Sequence, residues 1–246
     1  MRRIGLLGGM SWESTAVYYR LINEGLRARR GGLASADILM RSLDFQAIVD
    51  LQRAGRWDEA ARCLAQAARG LEKAGADCIL ICTNTMHLCA DTVADACDAP
   101  LIHIIDETAA AICDAGLRRP LLLATSYTME HGFYAERMRR HGLEVMTPDR
   151  DDRLACHKAI FDELCQGVVS DAARAALIDM TARGKAAGAD CVILGCTELG
   201  LSVTAEDLPL PCFDSTHIHA RAAIDFSLGG RSHAPMRNEA LQGAYI

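Results

Sequence analysis

The sequence predicts an α/β protein made of two similar lobes, each with a parallel sheet covered by helices. The first observation is that short apolar segments rich in β-branched residues alternate with helix-forming segments along the whole chain, a pattern typical of parallel sheets. The second is an internal repeat, in which residues 73–84 resemble residues 187–198. A repeat of this length indicates a pseudo-symmetric duplication of one structural unit.

The strand candidates are short apolar runs, mostly bounded by Gly, Pro or Asp. In chain order they are Ile4–Leu7, Ile38–Ser42, Cys78–Ile81, Leu101–Ile105, Pro120–Ala124, Leu143–Met146, Cys191–Leu194 and Pro211–Phe213. Helices are predicted where good helix formers place apolar residues on one stripe. These segments are Ser14–Ala28, Trp57–Ala74, Asp152–Cys165 and Asp171–Ala187. In such a fold, ligands are expected beyond the carboxyl ends of the strands.

In both copies of the repeat a helix ends at a glycine, a strand follows, and a Cys-Thr pair stands at the carboxyl end of that strand. The glycines are Gly75 and Gly188, and the cysteines are Cys82 and Cys196. Weaker similarities occur in the same order, at residues 2–8 and 118–124 and at residues 100–108 and 211–216. The repeat therefore predicts an active site in the cleft between the lobes, with one Cys-Thr pair on each side.

The amino-acid composition excludes some classes of protein and disfavours others. The 246 residues are 50% hydrophobic and 24% charged, which excludes a disordered or low-complexity chain. The net charge of -6 disfavours a nucleic-acid partner, and no apolar run approaches the ~20 residues that a membrane span needs. The eleven cysteines are odd in number and several lie within apolar runs, which indicates reduced thiols and a cytoplasmic protein.

Cys82 and Cys196 are the candidate catalytic residues. A buried cysteine at a strand end is most often a small apolar side chain, but here two occupy equivalent positions of a repeat. Two facing thiols fit a two-base proton transfer, in which one removes a proton from one face of a carbon atom and the other supplies a proton to the opposite face. Backbone N–H groups after each strand are expected to lower the thiol pKa toward neutrality.

Polar residues beside the two cysteines are candidates for substrate binding or proton transfer. Thr83, Asn84 and Thr85 offer donors to a substrate carboxylate, although each could simply cap a helix. His87 is interpreted either as a buried, hydrogen-bonded residue or as a functional one. Glu198 is either a cap or a proton-handling partner that tunes Cys196.

Metal and dinucleotide sites are not expected. No Cys-x-x-Cys pair is present, and His217 and His219 lack a further ligand cluster, so no metal is predicted. Gly8-Gly9 allows the backbone to approach a ligand closely after the first strand. Leu7, however, stands where the dinucleotide fingerprint requires glycine. Gln52 is a further candidate for contact with a substrate.

At these residues the sequence resembles the aspartate/glutamate racemase superfamily of cofactor-independent amino-acid racemases. The similarity runs in family order from about residue 2 to residue 225, and the pair of Cys-Thr motifs is its most specific part. The pattern is most similar to that of the broad-specificity amino-acid racemases of enteric bacteria. The shared segments are Gly8–Ser14, Cys82–His87, Thr128-Met129, Phe133-Tyr134, Ile160–Leu164 and Gly195–Glu198.

The resemblance implies two flavodoxin-like lobes, with the second inserted in the first. Lobe 1 would comprise residues 1–98 and 212–228, lobe 2 residues 99–211, and residues 229–246 would form a C-terminal tail. The resemblance also implies catalysis without pyridoxal phosphate or any other cofactor. The expected partners are small-molecule amino acids and a second copy of the chain in a homodimer, with neither nucleic acid nor membrane.

The resemblance further implies roles for individual residues. Cys82 would take the α-proton of the D-enantiomer, and Cys196 would take that of the L-enantiomer. Carboxylate binding is implied for Met10 and for the segment Thr83–Thr85, and a substrate contact for Gln52. Thr197, the hydroxyl residue after Cys196, is counted with these substrate-binding residues: Met10, Gln52, Thr83, Asn84, Thr85 and Thr197.

One departure from the family pattern bears on the substrate. Aspartate-specific relatives carry a lysine shortly after the segment that matches Asp162-Glu163-Leu164, whereas this chain has Gly167-Val168-Val169-Ser170. The sequence therefore predicts a racemase of broad specificity. Three alternatives remain open: an aspartate- or glutamate-specific racemase, a maleate isomerase-like enzyme on the same scaffold, and a non-catalytic amino-acid binding protein.

Overall fold

A computed structural model describes residues 1–230 and contains two parallel three-stranded sheets in that range. The first sheet has the order β2-β1-β3, and the second has the order β4-β5-β6. The strands are β1 (Ile4–Gly8), β2 (Ile38–Ser42), β3 (Cys78–Ile81), β4 (Pro120–Leu123), β5 (Cys191–Leu194) and β6 (Cys212–Asp214). The predicted α/β class with two similar parallel sheets is confirmed. Most of the predicted tail, residues 231–246, lies outside the described residues.

Helices cover both sheets and carry good capping residues. Ser11, Asp149 and Ser170 each accept a hydrogen bond from a backbone N–H group of the helix that follows. No helix within residues 1–230 is long and apolar enough to cross a membrane. The helices are α1 (Trp12–Arg30), α2 (Phe45–Arg53), α3 (Trp57–Lys73), α4 (Ala90–Ala94), α5 (Ile104–Asp114), α6 (Ser126–Glu130), α7 (Phe133–Arg140), α8 (Arg150–Lys158), α9 (Asp171–Ala186), α10 (Leu199–Ser202) and α11 (Ser215–Ser227).

The internal repeat has the same backbone geometry in both copies. Gly75 and Gly188, which follow α3 and α9, both have a φ angle of 98°. A Cβ atom on Gly75 would lie 2.5 Å from the guanidinium of Arg3, and one on Gly188 would lie 2.6 Å from that of Arg119. Both turns therefore need glycine for two reasons, the left-handed backbone and the arginine that packs against it.

Two of the predicted strands are wrong. Leu101–Ile105 is not a strand, because only Leu101 pairs, in a single bridge with Ile79, and α5 begins at Ile104. His103 ends the extended segment, since its ring accepts the Ile105 N–H at 3.2 Å and caps the helix. Leu143–Met146 likewise makes only one bridge, between Met146 and Leu121. The helix predicted for Asp152–Cys165 ends at Lys158 and continues as a π-helical turn over Ala159–Glu163.

α5 follows Leu101, which pairs with the first sheet, and α11 follows β6 of the second sheet, yet each of these two helices packs into the core of the other sheet. Ile104 and Ile112 of α5 belong to the core around β4 and β5, whereas Ala223 and Ile224 of α11 belong to the core around β1 and β3. The division into lobes remains a prediction, but strand pairing places Leu101 in the first sheet and β6 in the second. Leu101 was expected in lobe 2, and β6 was expected in lobe 1, so each pairs with the sheet of the other lobe.

A buried ion pair joins α5 to α7. Asp106, 1% exposed, accepts two hydrogen bonds of 2.7 Å from Arg137 and one of 2.9 Å from His141. Burial alone would raise the pKa of the Asp106 carboxyl, but the hydrogen bonds from Arg137 and His141 outweigh that effect and hold the pKa below its usual range. Asp106 is therefore ionised in the folded protein and is the buried charge partner of Arg137, whose second carboxylate partner, Asp91, is exposed and lies 3.5 Å away.

We expect Asp106→Asn to lower the free energy of unfolding at pH 7 by about 3 kcal/mol, because it leaves the buried Arg137 charge with only the exposed carboxylate of Asp91, 3.5 Å away. The folded pKa of Asp106 lies below its unfolded value of about 3.9, so its contribution is complete above that value and is lost as the pH falls. Urea unfolding of both proteins should give curves that converge as the pH falls below 4. A difference in stability that does not depend on pH would contradict this account. The control, Glu59→Gln in the exposed pair with Arg56, should change stability little.

Candidate active site

The carboxyl ends of β3 and β5 open into one cleft between the two sheets. β3 leads into Cys82–Thr85, and β5 leads into Gly195–Glu198, so the two copies of the repeat meet there. The cleft encloses about 610 Å³, including its open mouth. The residues that line it include every predicted site residue except Cys82: Met10, Gln52, Thr83, Asn84, Thr85, Cys196, Thr197 and Glu198.

Cys82 lies behind the wall of the cleft. Its N–H donates to the Leu7 carbonyl at 3.0 Å, so it continues the pairing of β3 with β1, and its own carbonyl accepts the Ser14 hydroxyl at 3.0 Å. Its side chain is 0% exposed and belongs to the core cluster of Leu80 and Tyr18. The structure thus places the backbone of Cys82 at the edge of the cleft and its thiol on the α1 side of the sheet.

Cys196 faces the cleft and is hydrogen-bonded to Glu198. The Cys196 thiol donates to Glu198 Oε2 at 2.9 Å, and the Thr197 hydroxyl donates to the same oxygen at 2.5 Å. Glu198 Oε1 accepts the Ser11 hydroxyl at 3.2 Å from the opposite side of the cleft. The Glu198 carboxylate is therefore a direct acceptor for the proton of Cys196 and also a contact between the two sides of the site.

The net lowering of the thiol pKa values that was expected from backbone N–H groups is not found, although a hydrogen bond from the Glu198 N–H lowers the pKa of Cys196 in part. Burial raises the pKa of Cys82 well above its ordinary value. Burial also raises the pKa of Cys196, and the negative charge and hydrogen bond of Glu198 raise it further. The N–H groups of Cys82 and Thr83 are not free to stabilise a thiolate, because they donate to the carbonyls of Leu7 and Ile81. The protein without substrate therefore holds two protonated thiols.

Asn84 presents an acceptor to the cleft. The Ser215 hydroxyl donates its one proton to the Leu194 carbonyl at 2.8 Å, so the Asn84 atom that meets it at 3.1 Å must be the donor Nδ2. This hydrogen-bond pattern fixes the orientation of the amide. Asn84 Oδ1 is then buried with no partner among the described residues. A buried acceptor without a partner fits a site that receives a donor from a ligand.

Hydroxyl groups hold the two sides of the cleft together near Asn84. The hydroxyl of Thr85 lies 3.2 Å from that of Thr125 and 3.0 Å from that of Thr128, and the last two are 3.1 Å apart. Across the cleft wall, Gln52 Nε2 lies 2.9 Å from the sulfur of Met86. These contacts fix the loop after β3 against α6 and α2.

His87 has a structural role. Its Nδ1–H donates to the Thr83 carbonyl at 2.8 Å, and its Nε2 accepts the Ile104 N–H at 3.3 Å. Burial, with His219 nearby, lowers the pKa of His87 to about 3. Both ring nitrogens thus have backbone partners and the ring is neutral, which favours the first of the two interpretations drawn from the sequence.

The Gly8-Gly9 turn packs against protein. Gly9 has a φ angle of 85°, and a Cβ atom there would lie 2.2 Å from the Leu43 carbonyl oxygen. Its N–H donates to the Thr15 hydroxyl at 2.8 Å. The close approach expected for a ligand is therefore made by the chain after β2, and the turn serves to bring Met10 and Ser11 into the cleft.

Sequence reasoning assigned no role to the apolar wall of the cleft. Phe45, Tyr127, Ile160 and Phe161 come from α2, α6 and the π-helical turn, which are distant in sequence and carry no common local pattern. Cys165 lies beside them, and burial together with the charges of Glu198 and Glu13 raises its pKa to about 12. The segment Ile160–Leu164, which is shared with the racemase family, was the one sequence feature that could have indicated part of this wall, but no function was inferred for it. The other lining residues without an assigned role are Ser11, Ser14, Tyr18, Thr125 and Thr216.

The charge of the cleft comes from one group among the described residues that line it. Glu198 is acidic, and neither lysine nor arginine contributes to the wall. In residues 1–230 no group of three or more His, Cys, Asp or Glu side chains is placed to hold a metal ion. Chemistry at this site would therefore rest on thiols, one carboxylate, hydroxyl groups and amides.

A family model for Asp/Glu/hydantoin racemases matches residues 7–223 of the chain. Among characterised proteins, the chain is 23% identical over 246 residues to the broad specificity amino-acid racemase RacX of Bacillus subtilis (strain 168). That match covers 93% of this chain and 100% of the relative.

The chain is also similar to solved structures over most of its length. The crystal structure of a "putative Asp/Glu Racemase" from Yersinia pestis is 48% identical with a TM-score of 0.88, and the match covers 93% of this chain and 100% of that one. An aspartate racemase homologue from Pyrococcus horikoshii OT3 is 32% identical with a TM-score of 0.81, at the same coverage of both chains.

The contact between Cys196 and Glu198 predicts a pH effect on thiol reactivity. Alkylation of Cys196 by iodoacetamide, followed on its tryptic peptide by mass spectrometry, should be slow at neutral pH and should accelerate as the pH rises. Glu198→Gln removes the carboxylate that raises the pKa, so its profile should lie at lower pH than that of the original protein. Glu206→Gln, on the exposed surface, is the control. Identical profiles for Glu198→Gln and the control would show that Glu198 does not tune Cys196.

Proposed function

The chain belongs to the Asp/Glu/hydantoin racemase family, and on that premise we propose that it interconverts L- and D-amino acids by proton transfer between Cys82 and Cys196. The observation that supports the proposal is the meeting of the two copies of the repeat: β3 and β5 are each followed by Cys-Thr at the edge of the same cleft. A proton acceptor, Glu198, stands 2.9 Å from one of the two thiols. This arrangement provides the acid and base that racemisation needs.

The charges in the cleft determine which group carries each proton during the reaction. With both thiols protonated, Glu198 takes the proton of Cys196, and the thiolate so formed removes the α-proton of an L-amino acid. Cys82 then supplies its own proton to the opposite face of the α-carbon. The product state is the D-enantiomer with protonated Cys196, protonated Glu198 and a Cys82 thiolate, and return of the proton held by Glu198 to Cys82 restores two thiols and the Glu198 carboxylate.

Cys82 has to turn toward the cleft for this step. Its backbone already borders the cleft through Thr83, but its thiol lies on the Tyr18 side of the sheet. Rotation about χ1, coupled to closure of the lobes on the substrate, would bring the sulfur to the α-carbon. Closure of this kind also excludes water, which strengthens the electrostatic interactions that stabilise the carbanion-like state.

The polar end of the substrate fits the residues after the two strands. Asn84 Oδ1, buried without a partner, suits the α-ammonium group, because an acceptor binds a donor. The hydroxyl groups of Thr83, Thr85 and Thr197 suit the carboxylate. Asn84 would thus bind the ammonium group. The family resemblance had implied instead that it binds the carboxylate. The positive ammonium also offsets the negative charge that a thiolate brings into the cleft.

The side-chain end of the cleft favours broad specificity. Phe45, Tyr127 and Phe161 are apolar or aromatic, and no cation lines the described wall to hold a second carboxylate. Among the described residues that line the cleft there is no lysine, the residue that forms a Schiff base with pyridoxal phosphate, and this supports cofactor-independent catalysis. The name of the Bacillus subtilis relative, a broad specificity racemase, supports the same assignment.

We expect Cys82→Ser and Cys196→Ser each to lower racemisation by about a thousandfold or more, because a hydroxyl is a far weaker acid and base than a thiol. The assay follows α-deuteration in D2O by NMR and formation of the opposite enantiomer by chiral chromatography. Cys63→Ser, an exposed thiol outside the cleft, is the matched control and should keep the original rate. Activity near the original rate in either purified cleft variant would exclude the two-thiol mechanism.

A panel of L-amino acids in D2O tests the substrate range. We expect exchange with several neutral or basic amino acids, and a kcat/KM for aspartate or glutamate less than about a thousandfold above the rest, or ~4 kcal/mol of discrimination. A larger preference would establish an acidic-substrate enzyme. Conversion of maleate without exchange of any amino acid would indicate an isomerase. Binding of amino acids without exchange would indicate a non-catalytic protein.

A further inference from the structure

The start of α1 contacts both sides of the cleft through two serines. Ser11, the residue before the helix, donates its hydroxyl to Glu198 Oε1 at 3.2 Å. Ser14, within the first turn, donates its hydroxyl to the Cys82 carbonyl at 3.0 Å. Ser11 and Glu198 are 8% and 6% exposed, so their hydrogen bond is shielded from water. Ser11 lies in the segment Gly8–Ser14 that is shared with the racemase family, but no role was inferred for it from the sequence.

The direction of the bond between Ser11 and Glu198 follows from the other partner of the Ser11 hydroxyl. The Ser14 N–H donates to Ser11 Oγ at 3.2 Å, because Ser11 caps α1. A hydroxyl group has one proton and accepts through its lone pairs, so the Ser11 proton remains for the Glu198 carboxylate, which can only accept. One hydroxyl group thus caps the helix and binds the carboxylate.

Thr15 fixes the backbone on which the Ser11 hydroxyl stands. The Thr15 hydroxyl donates to the Ser11 carbonyl at 2.9 Å and accepts the Gly9 N–H at 2.8 Å. These two bonds tie the loop after β1 to the first turn of α1. The Ser11 hydroxyl is therefore held in place before a substrate binds, and it loses little conformational freedom in binding its acceptor.

The two oxygens of the Glu198 carboxylate have donors from different sheets. Oε2 accepts the Cys196 thiol at 2.9 Å and the Thr197 hydroxyl at 2.5 Å, both from its own loop after β5. Oε1 accepts the hydroxyl of Ser11, which follows β1 of the first sheet. The bond from Ser11 thus ties the carboxylate to a fixed point outside its own loop and opposes rotation that would exchange the two oxygens.

Resting on the proposed two-cysteine function, we propose that Ser11 is a positioning residue for Glu198 and acts on Cys196 through it. Ser11 holds Oε1, so Oε2 stays directed at the Cys196 sulfur and takes its proton when an L-amino acid reacts. Ser14 of the same turn holds the loop of Cys82, so α1 keeps the two catalytic loops in one frame. Ser14 binds the carbonyl of Cys82 and not its side chain, which leaves the thiol free to turn toward the cleft.

The other titratable groups on this side of the cleft are Cys165 and Glu13. Cys165 adds to the raised pKa of Cys196, but it contributes less than burial and Glu198 do. Glu13 of α1 acts on the pKa of Cys165. The Ser11 hydroxyl bonds to neither group, since its partners are the Ser14 N–H and Glu198. A change in the Cys196 pKa on loss of that hydroxyl therefore reports on Glu198.

Substitutions at two serines separate the bond to Glu198 from the helix cap. Ser11→Ala removes both, Ser11→Gly removes the hydroxyl at a cap position where glycine costs a helix little, and Ser11→Thr keeps a hydroxyl. The matched control is Ser170→Ala. Ser170 caps α9 by accepting the Ala173 N–H at 3.1 Å and donates its hydroxyl to another glutamate, Glu163, at 2.5 Å. Ser170 is not among the residues that line the cleft.

The test is the pH profile of Cys196 alkylation by iodoacetamide. We expect the profiles of Ser11→Ala and Ser11→Gly to move to lower pH by about half a unit, toward that of Glu198→Gln, because a carboxylate that is no longer held raises the Cys196 pKa less. Ser11→Thr and Ser170→Ala should give the original profile. Ser11→Ala should cause no further shift when it is combined with Glu198→Gln. An unchanged profile in Ser11→Ala, a shift to higher pH, or a further shift in the double variant would overturn the proposal.

Racemisation kinetics supply the second readout. For Ser11→Ala we expect kcat to fall about tenfold with KM within about twofold, because the base is misplaced while the substrate contacts remain. Ser11→Thr should keep more of kcat than Ser11→Ala. A higher KM at unchanged kcat would assign Ser11 to substrate binding and overturn the positioning role. Alkylation needs no turnover, so the expected profiles in a protein that racemises no amino acid would support the positioning of Glu198 and count against the racemase function.

Discussion

The active site depends on where the hydrogen bonding between strands stops at the carboxyl ends of β3 and β5. In the first sheet the pairing extends through Cys82, whose N–H donates to the Leu7 carbonyl, and strand alternation then directs its side chain into the α1 face. In the second sheet the last paired residue is Gly195, whose N–H donates to the Leu123 carbonyl, and Cys196 is released into the cleft. The pairing ends at the same register in both sheets, so Gly195 corresponds to Cys82, and Cys196 lies one residue further along the chain. This offset of one residue makes the two cysteines structurally unequal.

Glycine at position 195 is needed for this geometry. A Cβ atom there would lie 2.8 Å from the Leu122 side chain and 3.0 Å from that of Ala124, so a larger residue would displace the strand end. At the corresponding point of the first sheet stands Cys82, fully buried in the core cluster on the α1 side. Both sheets are parallel, and a glycine-ended helix precedes β3 and β5 alike, yet the two sheets hold their cysteines in different ways.

The sequence predicted the elements that local patterns encode. The spans Cys78–Ile81 and Cys191–Leu194 are observed at the predicted bounds, because buried parallel strands are continuous apolar runs. Ile38–Ser42 is also observed at its predicted bounds, although it is an edge strand whose last three residues are exposed. The cleft residues next to Cys196 were found since they follow a repeated strand. Phe45 and Tyr127 could not be found, because they reach the cleft from helices that only tertiary packing brings together. The direction of the thiol pKa shifts was predicted wrongly for another reason. Burial raises both pKa values, and the backbone N–H groups of Cys82 and Thr83 already donate to carbonyl groups, which depends on tertiary packing and strand pairing.

The unequal neighbours of the two thiols are compatible with a reaction that has no preferred direction. Free enantiomers have equal energy, so the equilibrium ratio is unity whatever surrounds each cysteine. What the neighbours set is how readily each thiol gives up its proton: the Glu198 carboxylate can accept the proton of Cys196, whereas the Cys82 sulfur meets only the Leu80 carbonyl among its hydrogen-bond partners in the described residues, which is not a base. An L-amino acid therefore reacts after one short proton transfer, from Cys196 to Glu198. A D-amino acid reacts only after Cys82 has lost its proton, and the asymmetry lies in the order of the proton transfers and not in the equilibrium.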